Sequence, residues 1–104
     1  MKEFERKIRL KLKDMGPDDK VYLKENYIYE IFTKHNVKDH EVDDIFDMKK
    51  VVAITQNSAF PEERVDARIN TGKNRKIKII FSFDPVYKGK KLKDKVGIIT
   101  AFPI

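Results

Sequence analysis

Apolar positions recur every three or four residues in the first half of the chain and every two in the second half. Phe4, Ile8, Leu12 and Met15 fall on one helical face, and Gly16-Pro17 is a natural stop. Ile8, Leu10 and Leu12 also alternate, so a strand stays open as a second reading of that segment. Val21-Tyr22-Leu23 reads as a short strand. Tyr27, Ile28, Ile31 and Phe32 stripe a second helix ending at Lys34-His35-Asn36, where Asn36 suits the left-handed cap position. Asp39 reads as the N-cap of a short third helix that turns Val42, Ile45, Phe46 and Met48 inward.

From Lys50 onward the period is two. Val51 to Thr55 is one strand and Arg64 to Asn70 another, with Val65, Ala67 and Ile69 on one side and Arg64, Asp66 and Arg68 on the other. Thr71-Gly72-Lys73-Asn74 is rich in turn residues. Lys76 to Phe83 and Lys95 to Phe102 complete the pattern. The expected class is α+β, with N-terminal helices packed on one face of a C-terminal antiparallel sheet of about four strands, in a single domain spanning 1–104. If the turn pairs Asn70 with Lys76, Arg68 lies opposite Lys78 and Arg64 opposite Ser82. Like charges facing each other across a ladder are unfavourable without an anion between them, so this pair is a candidate phosphate site. An ordinary solvated sheet face, compensated by Asp66, is the plain alternative, and a one-residue slip would undo the assignment.

Composition narrows the class. The chain has 104 residues, 40% of them apolar, with seven Phe and four Tyr, enough for one modest core. It has no cysteine, which excludes disulfides and thiolate–metal sites. No apolar run approaches a membrane span and no secretory leader is recognisable, so the cytoplasm is the expected compartment.

Charge adds the sharpest clue. Residues 1–72 hold 14 basic and 15 acidic side chains, whereas residues 73–95 hold nine Lys or Arg against Asp84 and Asp94. Positive charge concentrated in this way suits a polyphosphate partner, or an acidic protein. Lys76, Lys78, Lys88, Lys90, Lys91 and Lys93 are therefore candidate nucleic-acid contacts together with Arg68, and Tyr87 could stack on a base. The lysines of 84–94 also read as an ordinary soluble hairpin loop. Acid/base chemistry near neutral pH would turn first to His35 and His40, although Lys34-His35-Asn36 is equally an ordinary helix end. Glu41, Asp43, Asp44 and Asp47 read as a solvated helix face without calcium-loop or metal-ligand spacing. No phosphate-binding glycine loop or nucleophile elbow is present, and no cofactor or metal is expected.

The succession Lys34-His35-Asn36-Val37, Glu41-Val42-Asp43-Asp44-Ile45-Phe46, Glu63-Arg64, the strand from Gly72 to Phe81 and the strand from Val96 to Ala101 resembles the motif order of BrnT-type toxins, relatives of the RelE-like ribonucleases. The likeness covers roughly residues 28–102, through short and tolerant motifs. It implies an RNA-cleaving toxin with helices before a sheet, no metal, and an antitoxin protein as partner. In that group the RNA 2′-hydroxyl attacks the adjacent phosphate while basic side chains stabilise the developing charge. The family's arginines fall on Arg64 and Arg75, its Lys-His on Lys34 and His35, and a serine on Thr100. Phe102 stands where the family has an arginine, and alternation puts Thr100 on the buried side. Arg64, Arg68, Arg75 and Lys78 are the expected phosphate clamp, with His35 as proton-transfer group. A binding module that keeps the fold and basic face without cleaving RNA is the rival reading.

Overall fold

The computed structural model describes residues 2–104. Helix α1 spans Glu3–Lys13 and buries Leu12, with Phe4, Ile8 and Met15 packed at the core margin. A turn of 3-10 helix at Pro17–Asp19 is closed by the Asp19 carboxylate, which accepts the Gly16 N–H at 3.0 Å. Strand β1 is Lys20–Tyr22. Helix α2, Glu25–Tyr29, widens into a π-helical turn over Glu30–Lys34. Its end is a left-handed cap at Asn36 (φ 53°), with the Val37 N–H reaching back to the Ile31 carbonyl at 2.9 Å, as the sequence leads one to expect. Helix α3, Asp39–Val42, runs on as 3-10 helix to Phe46.

The sheet follows: β2 Val51–Gln56, β3 Val65–Gly72, β4 Arg75–Phe83 and β7 Val96–Pro103, with the short strands β5 Val86–Tyr87 and β6 Lys90–Lys91 forming a separate small hairpin between the last two. The five-stranded order is β1-β7-β4-β3-β2. Here the expected antiparallel sheet of four strands is corrected. The sheet is mixed, because β1 pairs in parallel with β7, Lys20 opposite Val96 and Tyr22 opposite Ile98. Nothing local in three residues could announce a partner so distant along the chain. Asn70 does face Lys76, and Arg68 faces Lys78.

With that register, Val65, Ala67, Ile69, Ile77, Ile79 and Phe81 are buried on one face beneath the helices, with Leu12, Ile31, Val42 and Ile45 opposing them. A bulge in β7 breaks strict alternation. Ile80 faces Thr100, but the next position, Phe81, faces Ile98, leaving Ile99 as the extra residue. Thr100 therefore shares the open face with Ile80 and Lys78, which corrects its expected burial. Two helix-layer expectations are also corrected. Lys38 is the cap of α3 and Asp39 its first helical residue. The Asp39 carboxylate instead accepts from Lys20 at 2.7 Å and from the Tyr22 hydroxyl. These bonds outweigh the burial that would raise the Asp39 carboxyl, and hold it below the usual range. Burial, and then its bond to Asp39, pushes the Tyr22 hydroxyl up.

Glu41 is not a solvated residue. It is buried, accepting from Arg75, from the Lys38 N–H at 3.0 Å and from the Thr71 hydroxyl at 2.9 Å. Arg75 also donates to the Asn36 carbonyl at 3.0 Å, so one side chain ties the end of α2, the start of α3 and the β3–β4 turn together. No helix among the described residues is long and apolar enough to cross a membrane.

Two stability predictions follow from these contacts. Arg75→Met leaves a buried carboxylate without its counter-charge and should cost about 2–4 kcal/mol in urea denaturation. The Arg75 bonds above all, with those from the Lys38 N–H and the Thr71 hydroxyl, pull the Glu41 carboxyl from 4.5 down to about 2 against its burial. Its contribution is therefore full above the ordinary range and lost as pH falls through about 2. The gap between wild type and variant should accordingly shrink from pH 5 toward pH 2, and a constant gap would contradict the clamp. At Gly97 an added Cβ would lie 2.8 Å from the Pro85 Cβ and 2.9 Å from Leu23 Cδ1. Leucine can yield but the proline ring cannot, so Gly97→Ala should cost about 1–3 kcal/mol and shift the amide resonances of residues 85–92.

Candidate nucleic-acid interface

The sheet face away from the helices is built by parity. Arg64, Asp66 and Arg68 project from β3 and its lead-in, and Lys76, Lys78, Ile80 and Ser82 from β4. Arg64 is set in place locally. Asn57, itself buried, accepts the Ala59 and Phe60 N–H groups at 3.1 and 2.9 Å, and the Arg64 N–H then closes a turn on the Phe60 carbonyl at 2.9 Å. That turn lays the Arg64 guanidinium over the Phe60 ring, 4.2 Å from its centroid. The Asn57 amide donates to Asp66 at 2.8 Å, and Asp66 pairs with Lys78 at 3.2 Å. Lys78 is thus partly neutralised. Arg68, directly across from it, is exposed and has no ion pair among the described residues.

The end of this face at Ser82 is walled into a cleft of about 290 Å³. Its floor is Ser82 and Ile99. One wall is Leu23, Lys24 and Tyr27 from the entry to α2, another is Pro85, Val86, Tyr87 and Lys88, and Glu63 and Arg64 close the third side. The Tyr87 wall owes its shape to a tight turn in which Lys88 and Gly89 both have positive φ, 51° and 78°, the twist that a two-residue hairpin needs. Pro85, packed on Gly97, anchors the hairpin's base. The tyrosines each carry a cation: Lys24 lies 5.4 Å from the Tyr27 ring and Lys88 5.3 Å from the Tyr87 ring. Two cation–aromatic pairs thus line one depression, and Arg64, which lines it as well, rests on Phe60 outside it. Tyr27, Lys24 and Phe60 were not singled out by sequence. Their only signal was a basic residue near an aromatic one, which is too common to select.

The expected site residues do not all converge. Arg64 lines the cleft, and Tyr87 and Lys88 join it. Arg68 and Lys78 occupy the same face about 13 Å further along the strands, at about 3.3 Å per residue. Lys76 lies beyond them, exposed, at the strand start. His35 packs its ring against Phe102, 5.8 Å between centroids, and Phe102 faces Lys78, so His35 belongs to that far end and not to the Arg64 cleft. Arg75 has the opposite parity, projects toward the helices and is held by Glu41. Lys90, Lys91 and Lys93 are exposed on and beside the small hairpin. Among the described residues no group of three His, Cys, Asp or Glu side chains is arranged to hold a metal ion.

No protein-family model, no curated protein and no solved structure matches this chain.

Proposed function

We propose that this protein binds RNA on the open sheet face and cleaves it at the Arg64 cleft, as a toxin of the RelE/BrnT kind with an antitoxin partner. The observation that carries the reading is a cleft lined by two cation–aromatic pairs, Lys24–Tyr27 and Lys88–Tyr87, and by Arg64, which is itself stacked on Phe60 just outside the lining. Cations meet phosphates while aromatic rings accept bases without regard to sequence, and single-stranded nucleic acid presents both. The exposed lysines at 88, 90, 91 and 93 extend the positive surface outward from the cleft.

In the proposed step the RNA 2′-oxygen attacks the adjacent phosphorus and the bond to the 5′-oxygen breaks. The products are a 2′,3′-cyclic phosphate and a 5′-hydroxyl. Arg64 holds the phosphate and stabilises the charge that grows on its oxygens. Glu63 is the carboxylate of the cleft, and so the group placed to accept the 2′ proton; Lys24, Lys88 and the tyrosine hydroxyls are the donors available to the departing oxygen. Arg75 acts in this reading as the clamp on Glu41, and His35 as a contact at the far end of the face.

A second reading, RNA binding without cleavage, draws on the same geometry. His35 and Arg75 both lie outside the cleft, and of the expected phosphate clamp and proton-transfer group Arg64 alone lines it.

An RNA digest in EDTA separates the two. Arg64→Ala should lower cleavage by about a hundredfold or more, the usual loss of one charge-stabilising donor. Per folded molecule, His35→Ala should leave the rate within about threefold and a 2′-deoxy sugar at the cleaved position should abolish it. Cleavage undiminished in Arg64→Ala would remove the site assignment. Salt-dependent binding with no product, weakened by Arg64→Ala, would establish the binding module instead.

A further inference from the structure

Arg64 is a divide between two hollows. The smaller, facing α2, is the tyrosine-lined cleft. The larger, about 560 Å³, opens on the other side toward α1 and is floored by Phe4, Ile8, Val65 and Phe83. Both share Glu63, Arg64, Ser82, Pro85 and Val86, so the same residues form the ridge between them. The larger hollow is within the size range of small-ligand sites.

Charge separates the two sides. Besides Arg64, the larger hollow has no Lys or Arg in its lining, and its rim carries Glu62, Glu63 and Asp84. Glu62 and Asp84, which line this hollow and not the smaller one, repel a phosphate, whereas carboxylates accept the N–H groups at a base edge and an apolar floor accepts a base face. Arg64 is the one point of the ridge that welcomes a phosphate; the hollows on either side are where it is not needed. We propose that the two hollows are the base subsites of a single dinucleotide step, with Arg64 gripping the phosphate that joins them. The ligand class is unpaired RNA with two adjacent bases free to turn apart, since bases held in a duplex cannot enter hollows on opposite sides of a ridge. This inference rests on the RNA reading above and extends it to the N-terminal helix, to which that reading gives no role.

The test is an NMR titration of the whole protein with two probes: adenylyl-adenosine carrying a 2′-deoxy first sugar, which blocks turnover, and AMP. The dinucleotide should bind about tenfold or more tightly than AMP, in keeping with a second stacked base. It should shift the Ile8 methyl and Phe4 ring signals as well as those of Tyr27 and Tyr87. Ile8→Trp, which fills the larger hollow, should bring the dinucleotide down to about the affinity of AMP. If that variant does not fold, the wild-type shifts and affinity ratio decide alone. Equal affinities, with Phe4 and Ile8 unmoved while the tyrosines respond, would overturn the two-subsite inference and leave the RNA reading standing. If neither probe moves any signal around Arg64, both fall.

Discussion

Asn70 faces Lys76 across the β3–β4 turn, and that pairing fixes which side of the sheet every later side chain of both strands occupies. Six apolar residues then meet the helices, and Arg64, Arg68, Lys76, Lys78 and Ser82 take the other face, with Asp66 buried among them against Asn57 and Lys78. Slipping the pairing by one residue would put Arg68 and Lys78 into the core and Ile69 and Ile77 into water. Burying an unpaired guanidinium is costly enough that the register has no close competitor. The core therefore holds the cations in place on the open face, and no contact among the cations themselves is required.

The same rule divides residues that look alike in sequence. Arg75 and Lys76 are neighbours in a basic run, yet one points to the helices and the other away. Arg75 meets Glu41 in a pocket where the carboxylate has three kinds of donor, so its charge is consumed in joining layers. Lys78 is half spent on Asp66, and Lys95 reaches Asp19 at 3.6 Å. What stays without an ion pair on the open face, among the described residues, is Arg64, Arg68 and Lys76, with the lysines of the hairpin beside them. Concentrated charge in the sequence overstates the charge a ligand would meet, because part of it is structural.

Much of the architecture could be read from the chain because it is local. The helix stripes, the left-handed Asn36, the four long strands and the hairpin register all depend on residues near one another. The parts that could not be read are those joined over distance. β1 is three residues whose parallel partner lies at the opposite end of the chain. The extra residue Ile99 reverses the phase of β7, and alternation counted through it puts Thr100 on the wrong face. The cleft suffers most, since its walls come from the entry to α2, the turn before β3 and the loop after β4. Arg64 was visible as a charge. Its setting, on Phe60 and between two hollows, exists only after folding.

That setting depends on a loop being held still. The β5–β6 hairpin pairs only with itself and would swing freely if nothing else restrained it. Contacts at its base restrain it. Pro85 lies on Gly97, the Leu92 N–H reaches the Pro85 carbonyl at 2.8 Å, and the Asp84 carboxylate accepts the Asp94 N–H at 2.7 Å. Two of these tie the arm's ends to each other, and the first ties both to the sheet. Tyr87 and Lys88, near the tip, are thereby carried to the cleft while Val86 stays at the ridge. A wall anchored at its foot in this way keeps its place without pairing to the main sheet. It also explains why glycine at 97 matters beyond its own strand, because the gap it leaves is the seat of the whole arm.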